Sequence, residues 1–142
     1  MMNETMTNPA PRARDGAMKL AIARKSEPNY VKGRRDFFQY RELGVTEATG
    51  GMMRAQVTSA SQGLSRPTGW HYHACEAQFV YILEGWLELQ FENGEKCRLD
   101  AGDSVMIPGG MKHNETATSE RLELLEISVP AAMDTVACEA PT

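Results

Sequence analysis

Cysteine is scarce in this chain: Cys75, Cys97 and Cys138 are an odd number with no CxxC spacing. Such a set encodes no disulfide framework and suits a reducing cytoplasm. No apolar run approaches the ~20 residues that a membrane span requires. The N-terminal stretch MMNETMTNPAPRARDGAMKLAIA also lacks the long apolar core of a secretory signal, because only MKLAIA within it is apolar. The expected location is cytoplasmic, with no membrane partner. Basic charge is short as well: 15 Lys and Arg against 19 Asp and Glu leave a formal charge of −4, and KGRR is the one basic cluster. Nucleic acid is therefore not an expected partner. Histidine is rarer still, with three copies, His71, His73 and His113. All three fall in two unusual stretches, GWHYHACEAQFVYILEG and GDSVMIPGGMKHN.

What is present reads as one all-β domain. A chain of 142 residues can bury one apolar core, and 42% hydrophobic with 24% charged residues is an ordinary globular composition. Residues 1–30, rich in Asn, Thr, Pro and Arg, show no sustained periodicity and are expected to form an N-terminal arm, flexible or loosely docked. Residues 31–142 are expected to form a barrel domain. From Asp36 onward, short β-favouring runs alternate with Gly, Pro or Asn-Gly, and no helix pattern appears. ENGE predicts a two-residue hairpin turn.

The runs QFVYIL and WLELQFE flank Glu84-Gly85, which predicts a second hairpin with Leu83 opposite Trp86. Strand alternation then puts Gln78, Val80, Ile82, Leu87, Leu89 and Phe91 on one face. That face is apolar except for Gln78, so it is expected to line the interior, where the amide needs a partner. The opposite face gathers Phe79, Tyr81, Leu83 and Trp86, an aromatic patch that needs cover from the arm or from a second subunit. A homodimer is the favoured reading.

His71 and His73 are two apart on a predicted strand, so both imidazoles point to one side, roughly 7 Å apart at Cα. Two such nitrogens can converge on one ion at about 2.1 Å from each. Gln78 lies across the ACEA turn on the inward face, and the turn at Pro108, Gly109 and Gly110 can bring His113 back alongside. Taken singly, each histidine is more often a surface or hydrogen-bonded residue than a ligand.

The spacing of these residues resembles the cupin superfamily, whose motifs are G(X)5HxH(X)3–4E(X)6G and G(X)5PxG(X)2H(X)3N. Here the first reads His71-x-His73, four residues, Gln78, six residues, Gly85. The second reads Gly102, five residues, Pro108-x-Gly110, two residues, His113, three residues, Ala117. The resemblance covers roughly residues 36–129. It implies a double-stranded β-helix, the cupin jelly-roll barrel, with a divalent metal ion held by His71, His73, His113 and Gln78 near its mouth. Three departures stand out: Gln78 replaces the usual Glu, Ser65 the leading Gly, and Ala117 the closing Asn. Only the first touches the chemistry.

An amide oxygen does not neutralise charge as a carboxylate would. Three neutral imidazoles plus Gln78 are expected to leave a site near +2, suited to a small anionic molecule that can chelate. By the same reasoning, Gln78→Glu should tighten metal binding and weaken anion affinity. Fe, Zn, Mn, Ni and Cu all suit imidazole-rich ligation. The expected function is a metal-dependent enzyme acting on a hydroxy acid, keto acid or diketone. With Fe(II) the site resembles those of cupin dioxygenases; with Zn, Mn or Ni, lyase, isomerase or decarboxylase chemistry is equally in view. The alternative is a non-catalytic cupin that binds or senses a small ligand. No residue stands out as a general base. Cys75 is read as inert, Glu76 as exposed, and Arg54, Gln56 and Glu126 as reaching either the pocket or solvent.

Overall fold

The computed structural model describes residues 18–33 and 35–142. The first 17 residues of the predicted arm, and Arg34 of KGRR, lie outside the described residues. Among those described, the β character of the sequence is realised in eleven strands and one short helical turn. The strands are β1 (Asn29–Val31), β2 (Gln39–Glu42), β3 (Arg54–Ala60), β4 (His71–Ala74), β5 (Ala77–Glu84), β6 (Trp86–Phe91), β7 (Lys96–Asp100), β8 (Ser104–Pro108), β9 (His113–Thr118), β10 (Leu122–Val129) and β11 (Asp134–Ala137). The helical turn α1 (Val45–Ala48) sits between β2 and β3.

Two antiparallel sheets face each other as a jelly-roll barrel. One has the order β1-β2-β3-β10-β5-β8 and the other β11-β4-β9-β6-β7. The chain switches sheets repeatedly, so neighbours in sequence are often partners across the interior rather than within a ladder. The core lies between the sheets and is built from alternate residues, with Val80, Ile82, Leu87, Leu89, Phe91 and Leu124 all buried in it. Gln78 shares that inward face and is 5% exposed.

This inward set matches the predicted face, but the predicted hairpin does not form. β5 pairs with β8 and β10, whereas β6 pairs with β7 and β9. Alternation fixes which residues face inward whatever the partner strand is, so the face was correct while the pairing was not. Gly85 makes the difference. It takes φ 81, and a Cβ there would lie 2.1 Å from the Arg121 carbonyl oxygen and 2.2 Å from Ser119 Oγ. The chain passes through this tight crossing from one sheet into the other. As a result the predicted aromatic patch is divided. Phe79, Tyr81 and Leu83 lie on the outer face of the six-stranded sheet, and Trp86 lies on the other sheet with the Arg98 guanidinium 4.3 Å from its ring centroid.

The Asn-Gly hairpin does form, between β6 and β7. Its connection is Glu92-Asn93-Gly94 rather than two residues: Phe91 N–H donates to Glu95 O, and Gly94, at φ 90, donates to Phe91 O. Strands β1 and β11, at the outer ends of the two sheets, are too short to show periodicity and were not foreseen. β1 straddles residue 30, where the arm was expected to end.

The crossing at Gly85 yields a prediction. Gly85→Ala combines a left-handed φ with backbone overlap, and is expected to cost at least about 1–3 kcal/mol. Chemical denaturation compared with the unchanged chain measures it; equal midpoints would show that the crossing tolerates a side chain.

Candidate metal centre

The three histidines meet. His71 and His73 point inward from β4, and His113 opens β9 directly opposite His71 in the ladder. Ring centroids are 4.4 Å apart for His71–His113, 5.0 Å for His73–His113 and 5.2 Å for His71–His73. All three residues are buried, at 1–3% exposure. One nitrogen from each lies within 4.8 Å of the other two.

The loop before β9 makes this meeting possible. Gly109 N–H donates to Glu76 O, and Gly110 N–H donates to His73 O, each at 3.0 Å. The β8–β9 turn is thereby docked on the turn that joins β4 to β5. A Cβ on Gly109 would fall 1.5 Å from the Cys75 carbonyl oxygen, so only glycine permits the approach. Gly110, at φ 83, then reverses the chain toward His113.

Protonation follows from the partners. Nδ1 of His71 lies 2.7 Å from Gly69 O, and Nδ1 of His113 lies 3.0 Å from Met111 O. A carbonyl can only accept, so in both rings Nδ1 carries a proton, and Nε2 is the nitrogen that the neutral ring can offer as a ligand. Nδ1 of His73 lies 3.1 Å from Thr135 Oγ1 on β11. Imidazoles held through Nδ1 with Nε2 turned to a shared centre have the arrangement of metal ligands with their orienting partners.

Gln78 faces them from the six-stranded sheet. Its Oε1 is buried and accepts no hydrogen bond in the structure, while its Nε2 donates to Glu126 Oε2. A buried amide oxygen without a donor is costly unless a cation takes it. The donor set, three imidazoles and one amide oxygen, fits a divalent ion. His71, His73, His113 and Gln78 are the residues that would hold it.

Two further acids belong to the site. Glu115 is two residues beyond His113 on β9 and therefore on the same face, with Oε2 at 3.8 Å from His71 Nε2. Sequence reasoning missed it, although alternation from His113 would have found it. Glu126, left undecided between pocket and solvent, is 5% exposed and inside. Gln56 is also inside and donates to Glu126, whereas Arg54 does not line the cavity. That cavity, of about 40 Å³, is bounded by Arg35, His71, Gln78, Glu115 and Glu126 with Val80, Leu87, Leu122 and Leu124. A larger outer hollow of about 510 Å³ shares Arg35 and Leu64 with it and adds Arg66.

Cys75 and Glu76 sit in the docked turn, and Glu76 is exposed as expected. Burial, with Glu126 and Glu76 adding repulsion, pushes the Cys75 thiol above its ordinary range. A thiol so held is no activated nucleophile.

Comparison with known proteins assigns the central part of the chain. The cupin domain family matches residues 60–128. Those residues are a cupin domain. Polyketide synthase CurC of Streptomyces cyaneus is 36% identical over 95 residues, covering 67% of this chain and 58% of that protein. YdbB of Bacillus subtilis is 39% identical over 44 residues, covering 31% of this chain and 39% of that protein. The chain thus spans less than two thirds of the length of either curated relative. Among solved structures, the fold is similar to KdgF of Halomonas sp. (TM-score 0.64, 20% identity, 79% of this chain and 94% of that one). It is also similar to the polyketide cyclase RemF of Streptomyces resistomycificus (TM-score 0.66, 17% identity, 87% and 90%). Enzymes recur among these cupins, including a hydroxypropylphosphonic acid epoxidase.

His73→Ala is expected to abolish stoichiometric divalent-metal uptake while leaving the far-ultraviolet β signal intact; elemental analysis beside circular dichroism measures both. Because its thiol is held protonated, Cys75 should react with iodoacetamide at pH 7.5 more slowly than a free peptide thiol, as read by mass spectrometry.

Proposed function

We propose that this cupin is a metal-dependent enzyme acting on an enolisable, oxygen-rich anion with an apolar body, of the 1,3-diketone or β-keto acid kind. The observation behind this reading is the lining of the inner cavity. The His71 imidazole and the Gln78 amide line it, the Glu115 carboxylate lies 3.8 Å from His71 Nε2, and Val80, Leu87, Leu122 and Leu124 supply hydrocarbon walls. A compound that chelates through two oxygens, turns anionic on enolisation and carries apolar flanks matches every part. A short hydroxy acid matches the donors alone. The relatives' names agree, since one is called a polyketide synthase and another a polyketide cyclase, and polyketide chains are runs of such carbonyls.

A bound divalent cation would supply Lewis acidity and favour enolate charge. The chain's residues divide the remaining work. His71, His73, His113 and Gln78 hold the centre between the sheets. The apolar walls exclude water. Arg35, common to both hollows, faces the substrate's anionic end as it enters. The inner cavity admits the reactive end with its apolar flanks, and the remainder of the substrate extends into the outer hollow. Glu115 Oε2 takes the proton leaving the carbon between the carbonyls.

Metal-reconstituted protein incubated with a panel of 1,3-diketones and β-keto acids tests this. The expected result is metal-dependent loss of enol absorbance. Oxygen uptake in step with it would assign a dioxygenase, and its absence a lyase, isomerase or cyclase. Binding without turnover across the panel would overturn the enzyme reading in favour of a ligand-binding or sensing cupin. Glu115→Gln is expected to lower kcat by about 10²-fold or more with metal content unchanged.

The outer face of the six-stranded sheet supports a homodimer. Tyr81, Leu83 and Met106 are 39%, 44% and 56% exposed there. The described part of the arm does not cover them: Lys19 N–H donates to Ala48 O, and the segment runs beside Arg41–Gly44. Leu20 and Ile22 on that segment are themselves 88% and 68% exposed. A second copy would cover both sets at once. Light scattering should then return twice 15.7 kDa, and Leu83→Lys should return the single mass.

A further inference from the structure

Three side chains in the six-stranded sheet form a hydrogen-bonded row beneath the histidines. Gln56, Gln78 and Glu126 are 4%, 5% and 5% exposed. Gln56 and Glu126 are direct cross-strand partners on β3 and β10, and Gln78 lies diagonally across on β5. Gln56 Nε2 donates to Glu126 Oε1 at 2.9 Å, and Gln78 Nε2 donates to Glu126 Oε2. Each carboxylate oxygen therefore holds one amide group.

This row fixes more than contact. A carboxylate accepts and cannot donate, so it decides which end of each amide faces it. Turning Gln78 over would set its oxygen against a carboxylate oxygen, acceptor to acceptor. With the nitrogen committed to Glu126, only Oε1 can face the centre, and Oε1 is the atom that lacks a donor.

We propose that Glu126 is a positioning residue for the metal centre. It locks Gln78 with Oε1 toward the three imidazoles and, through a charge-assisted hydrogen bond, gives that amide part of the donor strength of an acid. This rests on the metal-centre reading of the site. The carboxylate absent from the ligand set is present one hydrogen bond away. Glu126 thus brings beside the centre a negative charge that the ligand set itself lacks. The expectation that Gln78→Glu alone tightens metal binding is thereby replaced. That change puts two carboxylates in hydrogen-bond contact with no hydrogen between them.

The test exchanges the two groups. The full chain, stripped of metal, is titrated with Co(II), and affinity is read by chelator competition alongside the visible absorption of the bound ion. Glu126→Gln is expected to weaken Co(II) binding by about 10–100-fold and to change the absorption. Gln78→Glu alone should fail to improve binding. The double variant Gln78→Glu/Glu126→Gln places an acid at 78 and an amide at 126, so that the new amide accepts from Gln56 and donates to the new acid. It should recover affinity to wild type or better.

Wild-type affinity and absorption in Glu126→Gln would overturn the proposal, as would tighter binding by Gln78→Glu than by the double variant. The double variant also controls for folding, because it keeps the same change at 126; its failure to fold would count against the proposal too. A wild-type chain that takes up no Co(II) would overturn the metal-centre reading along with this one. Co(II) uptake indifferent to residue 126 would overturn this one alone. Neither outcome depends on turnover of any diketone.

Discussion

Every polar atom buried between two apolar sheets must find a partner, and that requirement organises this barrel. Burial without one costs roughly 1–3 kcal/mol per group. Among the polar groups buried in the interior are three imidazoles, the amides of Gln56 and Gln78 and the Glu126 carboxylate. Backbone carbonyls settle two of the imidazoles and a threonine hydroxyl the third. The carboxylate settles the two amides. The Gln78 amide oxygen, buried without a donor in the interior that the three histidines share, is the atom that a cation would satisfy.

The two sheets divide the labour. The five-stranded sheet brings the imidazoles together, with Thr135 on its edge strand supporting His73. The six-stranded sheet contributes the amides and the buried acid. Neither sheet alone holds a complete donor set, so the site exists only once the jelly roll has closed. Gly109 of the β8–β9 turn secures that closure, since its backbone must lie against the neighbouring turn with no side chain between.

Much of this was legible in sequence. The HxH pair, the glycine-rich approach to His113 and the inward place of Gln78 follow from strand alternation and from motif spacing, which are local properties. The partners that are distant in sequence were not. Glu126 pairs with Gln78 across 48 positions and with Gln56 across 70, and nothing local says which strands will be neighbours. The same blindness produced the wrong β5–β6 pairing, because a two-residue turn and a crossing between sheets look alike when only the turn residues are read. Glu115 is different: the alternation that placed Gln78 also places it, and it was hidden by attention to motif positions alone.

The direct pairing of His71 with His113 in the β4–β9 ladder has a consequence of its own. It is a single rung, the only pairing between those two strands among the described residues. Sliding β9 along β4 by one position would send His113 to the outside of the barrel, since side chains alternate across a strand. Ligand geometry is thus written into the phase of one backbone ladder, and a lone inserted or deleted residue between Gly110 and His113 would silence the centre while sparing all of its donors.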